Sequence, residues 1–152
     1  MVEIIPFEPR YRDDFKRLNA AWLEKFFRLE PIDEEVLSNP ERTILDSGGH
    51  ILFARLDGEI VGTCALIPGG GGRFELSKMA VDERHQGLGL GRKLLEAAIV
   101  KSKTLCATEL FLESSSKLST AIRLYETSGF VHTPRQSASH YERADVYMVY
   151  KG

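Results

Sequence analysis

Between Val81 and Arg92 the chain reads VDERHQGLGLGR, and this glycine density restricts the fold more than any other stretch. A β-competent run, Arg73 to Val81, leads into it. Leu90, Leu94, Leu95, Ala98 and Ile99 lead out of it, spaced as one face of a helix reaching roughly to Lys103. A strand therefore passes almost directly into a helix. A helix N-terminus has unpaired amides and a positive dipole end, and glycines remove the side chains that would hold an anion off the backbone. The turn predicts a phosphate cradle. Its spacing is not the dinucleotide pattern GxGxxG, because Gly87 and Gly89 are followed by Arg92 where the third glycine belongs. Nor is it the P-loop GxxxxGK[ST], because Lys93 follows Arg92 and precedes Leu94.

The rest of the chain reads as alternating short elements. Val2 to Phe7 is β-rich, and Phe15, Leu18, Trp22, Phe26 and Leu29 then recur at helical steps, with Trp22 and Phe26 on the core stripe. Pro31 is expected to close that helix, and Asp33 to cap a second one ending near Ser38. Asp57-Gly58 between HILFARL and EIVGTCALI predicts a hairpin, and Gly69 to Gly72 a flexible link to the next strand. Glu109 to Glu113 reads as a strand, Ser114 to Ser116 as caps for a helix from about Lys117 to Ser128, and Phe130 to Thr133 as extended. Pro134 to Arg143 reads as a loop and Ala144 to Tyr150 as a final strand. The order βααβββαβαββ implies an α/β (α+β) architecture, a mixed sheet covered by helices, in one domain spanning residues 1–152.

Composition narrows the classes of function. Twenty Lys and Arg against 22 Asp and Glu leave a net charge of −2, which gives no field to draw in nucleic acid. Cys64 and Cys106 sit in apolar runs without CxxC spacing and read as buried thiols; His50, His132 and His140 share no ligand spacing, so no metal is expected. No run of 18 apolar residues occurs, and MVEIIPFEPR lacks the build of a signal peptide. A cytoplasmic location without membrane attachment is the expectation.

The pattern Q-x-x-G-x-G, met by Gln86, Gly89 and Gly91, resembles the acetyl-CoA-binding motif of the GNAT superfamily of N-acetyltransferases. The resemblance extends to ELSKMAV before the loop, to RKLL after it, and to AIRLYETSGF, which is similar to the family's second motif. It implies the GNAT fold, with a mostly antiparallel central sheet, and acetyl-CoA as cosubstrate. It implies that Gln86, Gly87, Leu88, Gly89, Leu90, Gly91 and Arg92 hold the pyrophosphate. The pantetheine arm would lie along Met79, Ala80 and Val81, with backbone groups of Met79 and Val81 pairing its amides as a strand would. That requires a bulged or splayed strand edge.

The same resemblance gives the Met79 amide to the thioester carbonyl, Glu75 to the role of general base and Tyr125 to protonation of the leaving thiolate. Read from the residues alone, Glu75 is a solvated strand-edge charge or pairs with Arg73 or Lys78, and Tyr125 is an ordinary core aromatic following Leu118 and Ile122. Leu118 stands where the family often has asparagine. Acceptor contacts would come from the first two helices and the last loop, through Phe27, Glu30, His140 and Tyr141. The acceptor would be a primary amine of a small molecule, amino acid or peptide, attacking directly in a ternary complex, and a homodimer is left open. The rival is a catalytically silent acyl-CoA-binding sensor or scaffold.

Overall fold

A computed structural model describes residues 1–135 and 143–152. Its strands are β1 (Val2–Pro6), β2 (His50–Leu56), β3 (Glu59–Gly70), β4 (Arg73–Val81), β5 (Glu109–Ser114), β6 (Phe130–His132) and β7 (Val146–Tyr150). Its helices are α1 (Arg12–Phe26), α2 (Pro31–Ser38), α3 (Leu90–Thr104) and α4 (Ser119–Thr127). Two turns with positive φ at both central residues fold the middle of the chain into a meander: Asp57-Gly58 (51° and 83°) between β2 and β3, and Gly71-Gly72 (63° and 79°) between β3 and β4. Such turns match the right-handed twist of paired strands. The second one makes a tight hairpin of what composition suggests is a flexible link, since Gly70 already pairs with Arg73.

The seven strands lie in the order β1-β2-β3-β4-β5-β7-β6. Every neighbouring pair is antiparallel except β4 and β5, which are joined through α3 and run parallel. This is the mixed, mostly antiparallel sheet expected, in the expected element order. Because β3 is covered on both sides, its side chains alternate between two cores. Val61, Cys64 and Leu66 pack with Leu90, Leu94, Leu95, Ala98 and Ile99 of α3, and α4 lends Ile122 and Tyr125 to the same side. Ile60 and Ala65 pack with Phe15, Leu18 and Leu23 of α1 and Leu37 of α2 on the other.

Five local expectations are corrected. Pro31 begins α2 rather than ending α1, because the missing proline N–H costs nothing in a first turn. Asp33 lies inside that turn and accepts from the Glu30 amide at 2.9 Å, the return half of a capping box. The serines before α4 do not cap it: Leu118 holds the cap position, and Ser115 Oγ instead accepts from the Lys117 amide at 3.2 Å. Trp22 is only partly buried and Phe26 is exposed, so the true core of α1 is Phe15, Leu18 and Leu23. Cys64 is buried as expected, whereas Cys106 lies exposed just beyond α3.

Candidate active site

Where β4 and β5 part, the sheet opens. Their parallel ladder runs from Arg73 opposite Glu109 to Leu76 opposite Leu112 and stops there. Beyond it β5 keeps its pairing with β7 through Ser114, while Ser77 to Val81 of β4 stay with β3 alone. On the β3 side the register slips by one residue: Ser77 faces Ala65 and Ala80 faces Thr63, so Lys78 and Met79 together oppose Cys64. This is a β-bulge, with Lys78 in the left-handed region at φ 55°. Such a conformation costs a residue with a Cβ roughly 1–2 kcal/mol. The bulge and the splay together supply the strand edge that the pantetheine expectation demanded.

A groove of about 770 Å³ runs from this opening to the glycine-rich turn. Its walls are Met79, Ala80 and Val81 on β4, Gln86, Gly87, Gly89, Leu90, Gly91 and Arg92 on the turn, and one face of α4. Gly89 is the N-cap of α3, with φ 75°, and Gly87 has φ 84°. A Cβ at either position would meet no atom within 4 Å. The glycines therefore serve the backbone conformation and the open space above it, not internal packing. Arg92 donates to Thr127 Oγ1 at 3.4 Å across the groove. Leu88 is exposed and is not among the lining residues.

A smaller cavity of about 100 Å³ adjoins the groove on the other side of the splay. Trp22, Met79, Leu118 and Tyr125 line both spaces. Glu75 and Glu113 lie in the small cavity, brought together because Glu75 pairs with Phe111 two residues before Glu113. Burial pushes the Glu75 carboxyl up to about 7; the Glu113 charge adds to that rise, and Lys78, Arg135 and Arg73 oppose it. Glu113 is held by Arg135 at 2.7 Å, and Arg73 by Glu109 at 2.9 Å and the Tyr147 hydroxyl at 2.8 Å. Burial drives the Tyr125 hydroxyl up to about 12, and the nearby Cys64 adds to the effect. Its ring packs edge-on against Phe130 at 6.0 Å. At neutral pH one group is poised to take a proton and the other keeps its own.

Beside the small cavity lies a buried ion cluster. Arg143 holds Asp33 with two hydrogen bonds of 2.9 and 3.0 Å and Glu30 with one of 2.8 Å, and Lys78 Nζ is 3.6 Å from Asp33. Burial alone would raise the Asp33 carboxyl, but the bonds from Arg143 and the Glu30 amide, with the Lys78 and Arg143 charges, hold it below its ordinary range. Phe27 lines the cavity, with Arg143 at 5.9 Å from its ring centre. Glu30 does not line it, because its carboxylate is turned into the Arg143 bond. His140 and Tyr141 lie outside the described residues.

Several lining residues escape a reading of local spacing. Glu113 sits near the end of β5, where the pairing of β4 with β5 brings it beside Glu75, and Arg143, which ends a polar stretch, joins the same lining. Asn19 sits on α1 among apolar residues, its amide spent on the Phe15 carbonyl at 3.0 Å. Among the described residues no group of three or more His, Cys, Asp or Glu side chains is placed to hold a metal ion. None of the described helices is long and apolar enough to cross a membrane.

Residues 10–130 match the Acetyltransferase (GNAT) family. The chain belongs to the GNAT family. An uncharacterized N-acetyltransferase of Schizosaccharomyces pombe is 34% identical over 130 residues, covering 82% of this chain and 79% of its own. N-alpha-acetyltransferase 30 of Saccharomyces cerevisiae is 31% identical over 75 residues, covering 49% of this chain and 43% of its own. The fold is that of a GNAT acetyltransferase from Staphylococcus aureus, at TM-score 0.88, 24% identity and coverage of 99% of this chain and 98% of that one. It is also that of the PaiA N-acetyltransferase of Thermoplasma acidophilum, solved with coenzyme A, at TM-score 0.75, 17% identity and coverage of 100% and 99%. This GNAT protein is thus an acetyltransferase, an enzyme class that moves an acyl group from acyl-CoA to an amine.

Proposed function

We propose that this GNAT enzyme transfers the acetyl group of acetyl-CoA to a primary amine that enters the small cavity, by direct attack in a ternary complex. The observation that carries the reading is the shared wall: Met79 and Tyr125 border both the long groove and the cavity that contains Glu75. A thioester in the groove and an amine in the cavity would meet there and nowhere else on the described surface. Residues 1–152 act as one domain in this reading.

Acetyl-CoA supplies an activated thioester and a phosphate-rich handle. The handle is matched by Gln86, Gly87, Gly89, Leu90, Gly91 and Arg92, whose backbone offers the first amides of α3 with open space before them. The arm takes the place β5 vacates, pairing with the backbone of Met79 and Val81. The Met79 N–H donates to the carbonyl oxygen as negative charge develops on it. Glu75 removes the proton with which the amine arrives, directly or through water. Tyr125 donates its hydroxyl proton to the departing sulfur. The volume of about 100 Å³ admits a slender amine head group and leaves the remainder of the acceptor at the mouth, beside Trp22 and Phe27.

The test is titration with CoA by calorimetry, followed by thiol release from acetyl-CoA over a panel of small amines, amino acids and peptide N-termini. Turnover should rise as pH passes about 7, where Glu75 loses its proton. Absence of thiol release with every amine, with or without CoA binding, would refute the proposal.

A further inference from the structure

The bulge raises a question that strand pairing does not answer. Lys78 is left-handed at φ 55°. A residue with a Cβ disfavours that region, and neither of its neighbours in the segment Ser77-Lys78-Met79 is a glycine or proline that would impose it. Something outside the strand must hold it there. The side chain points to what does: it is 5% exposed and reaches from β4 to α2, where its Nζ lies 3.6 Å from Asp33 Oδ1. Asp33 is itself immobilised, its carboxylate gripped by Arg143 and by the Glu30 amide and wholly out of solvent. A buried pair of opposite charges contributes little net stability, since desolvation consumes most of the attraction. Its geometry is what such a pair can enforce.

We propose that Lys78 and Asp33 are positioning residues, a strut between β4 and α2 that keeps Lys78 left-handed and thereby presents the Met79 peptide to the groove. The inference rests on the assignment of the Met79 N–H to the reacting carbonyl. The slip is held on the β3 side by the flanking pairs of Ser77 with Ala65 and Ala80 with Thr63, but past Leu76 no β5 strand braces the other edge. With the strut removed, a non-glycine residue at position 78 drifts toward extended backbone and carries the Met79 peptide away from the groove.

Glycine and alanine substitutions separate this role from every other use of the lysine. Both delete the strut, but glycine accepts positive φ without a steric penalty and so removes the need for it. Lys78→Ala should lower kcat for acetyl transfer by about 5- to 30-fold, the factor that corresponds to the left-handed penalty of a Cβ. Lys78→Gly should return kcat to within about threefold of wild type and bind CoA within about twofold of wild type, whereas Lys78→Ala, with the Met79 peptide displaced from the arm it pairs with, should lose CoA affinity as well. Asp33→Asn should lower kcat in the manner of Lys78→Ala. Equal losses in Lys78→Ala and Lys78→Gly overturn the strut, as does a wild-type kcat in Lys78→Ala. Where the alanine variant does not fold, as judged by near-UV circular dichroism, Lys78→Gly decides alone: near wild-type turnover sustains the strut and a loss of about fivefold or more overturns it. A wild-type enzyme that binds CoA yet acetylates no amine overturns the proposed function and the strut together. An active wild type with matched alanine and glycine losses overturns the strut only.

Discussion

Glu75→Gln should push stability and activity in opposite directions. The carboxyl is displaced from its ordinary 4.5 to about 7, chiefly by burial and then by Glu113, and that displacement corresponds to about 3 kcal/mol of free energy. The sign follows from the direction. A folded value above the unfolded one means that the native state holds the proton more tightly. The stability from this group is complete below about pH 4.5 and drains away as pH rises through about 7. Glutamine keeps the shape and never ionises. The variant should therefore match wild type near pH 4.5 and exceed it by about 3 kcal/mol at pH 8, a gain of roughly 6–12 °C in Tm for a chain of this size. Urea unfolding at a series of pH values measures the gap. Turnover should meanwhile fall by about 10²- to 10⁴-fold, the usual worth of a general base, and lose its rise with pH. A stability difference that stays flat from pH 4.5 to 8 would refute the burial argument, and unchanged turnover would remove Glu75 from the chemistry.

Tyr125→Phe should leave the affinity for acetyl-CoA near wild type and lower kcat about 10²-fold or more, because the lost proton serves only the departing sulfur; full turnover would reduce Tyr125 to its packing on Phe130. Gly89→Ala forces a Cβ onto a residue at φ 75°, where open space spares it any clash but not the backbone penalty. CoA affinity, measured by calorimetry, should drop by about tenfold. Cys106 is exposed, while Cys64 is buried with its thiol pushed up to about 12. A thiol reagent should therefore label one cysteine in the native protein and two in denaturant, as counted by mass.

The fold was legible wherever a signal is local. The Asp57-Gly58 turn, the helical stripe through Leu90, Leu94 and Ala98, and the glycines before it each state their conformation in a few adjacent letters. The glycine-rich side of the site was readable for the same reason. No local letter announces the bulge, which was expected only from the resemblance: the slip at Lys78 and Met79 uses neither glycine nor proline, and the ion pair of Lys78 reaches Asp33 on a different element. Arg143 is 110 residues from the carboxylate it grips, a separation no periodicity reports. Pro31 misleads because the same residue ends one helix and begins another equally well, and which it does depends on whether its neighbours pair upstream or downstream. Trp22 keeps the spacing of a core residue, yet it packs only partly against the core and lines the cavity wall.

The parting of β4 from β5 also bears on how the protein survives in a cell. A sheet that stops pairing at Leu76 leaves backbone donors and acceptors of β4 without strand partners, and on the proposed reading the cosubstrate completes them. Donor binding is then linked to folding: a donor present at about 100 times its Kd would add about 2.7 kcal/mol to the native state. Starved of acetyl-CoA, the enzyme would lose substrate and part of its resistance to proteolysis at once. Its abundance would follow the metabolic supply of the group it transfers, with no regulator required.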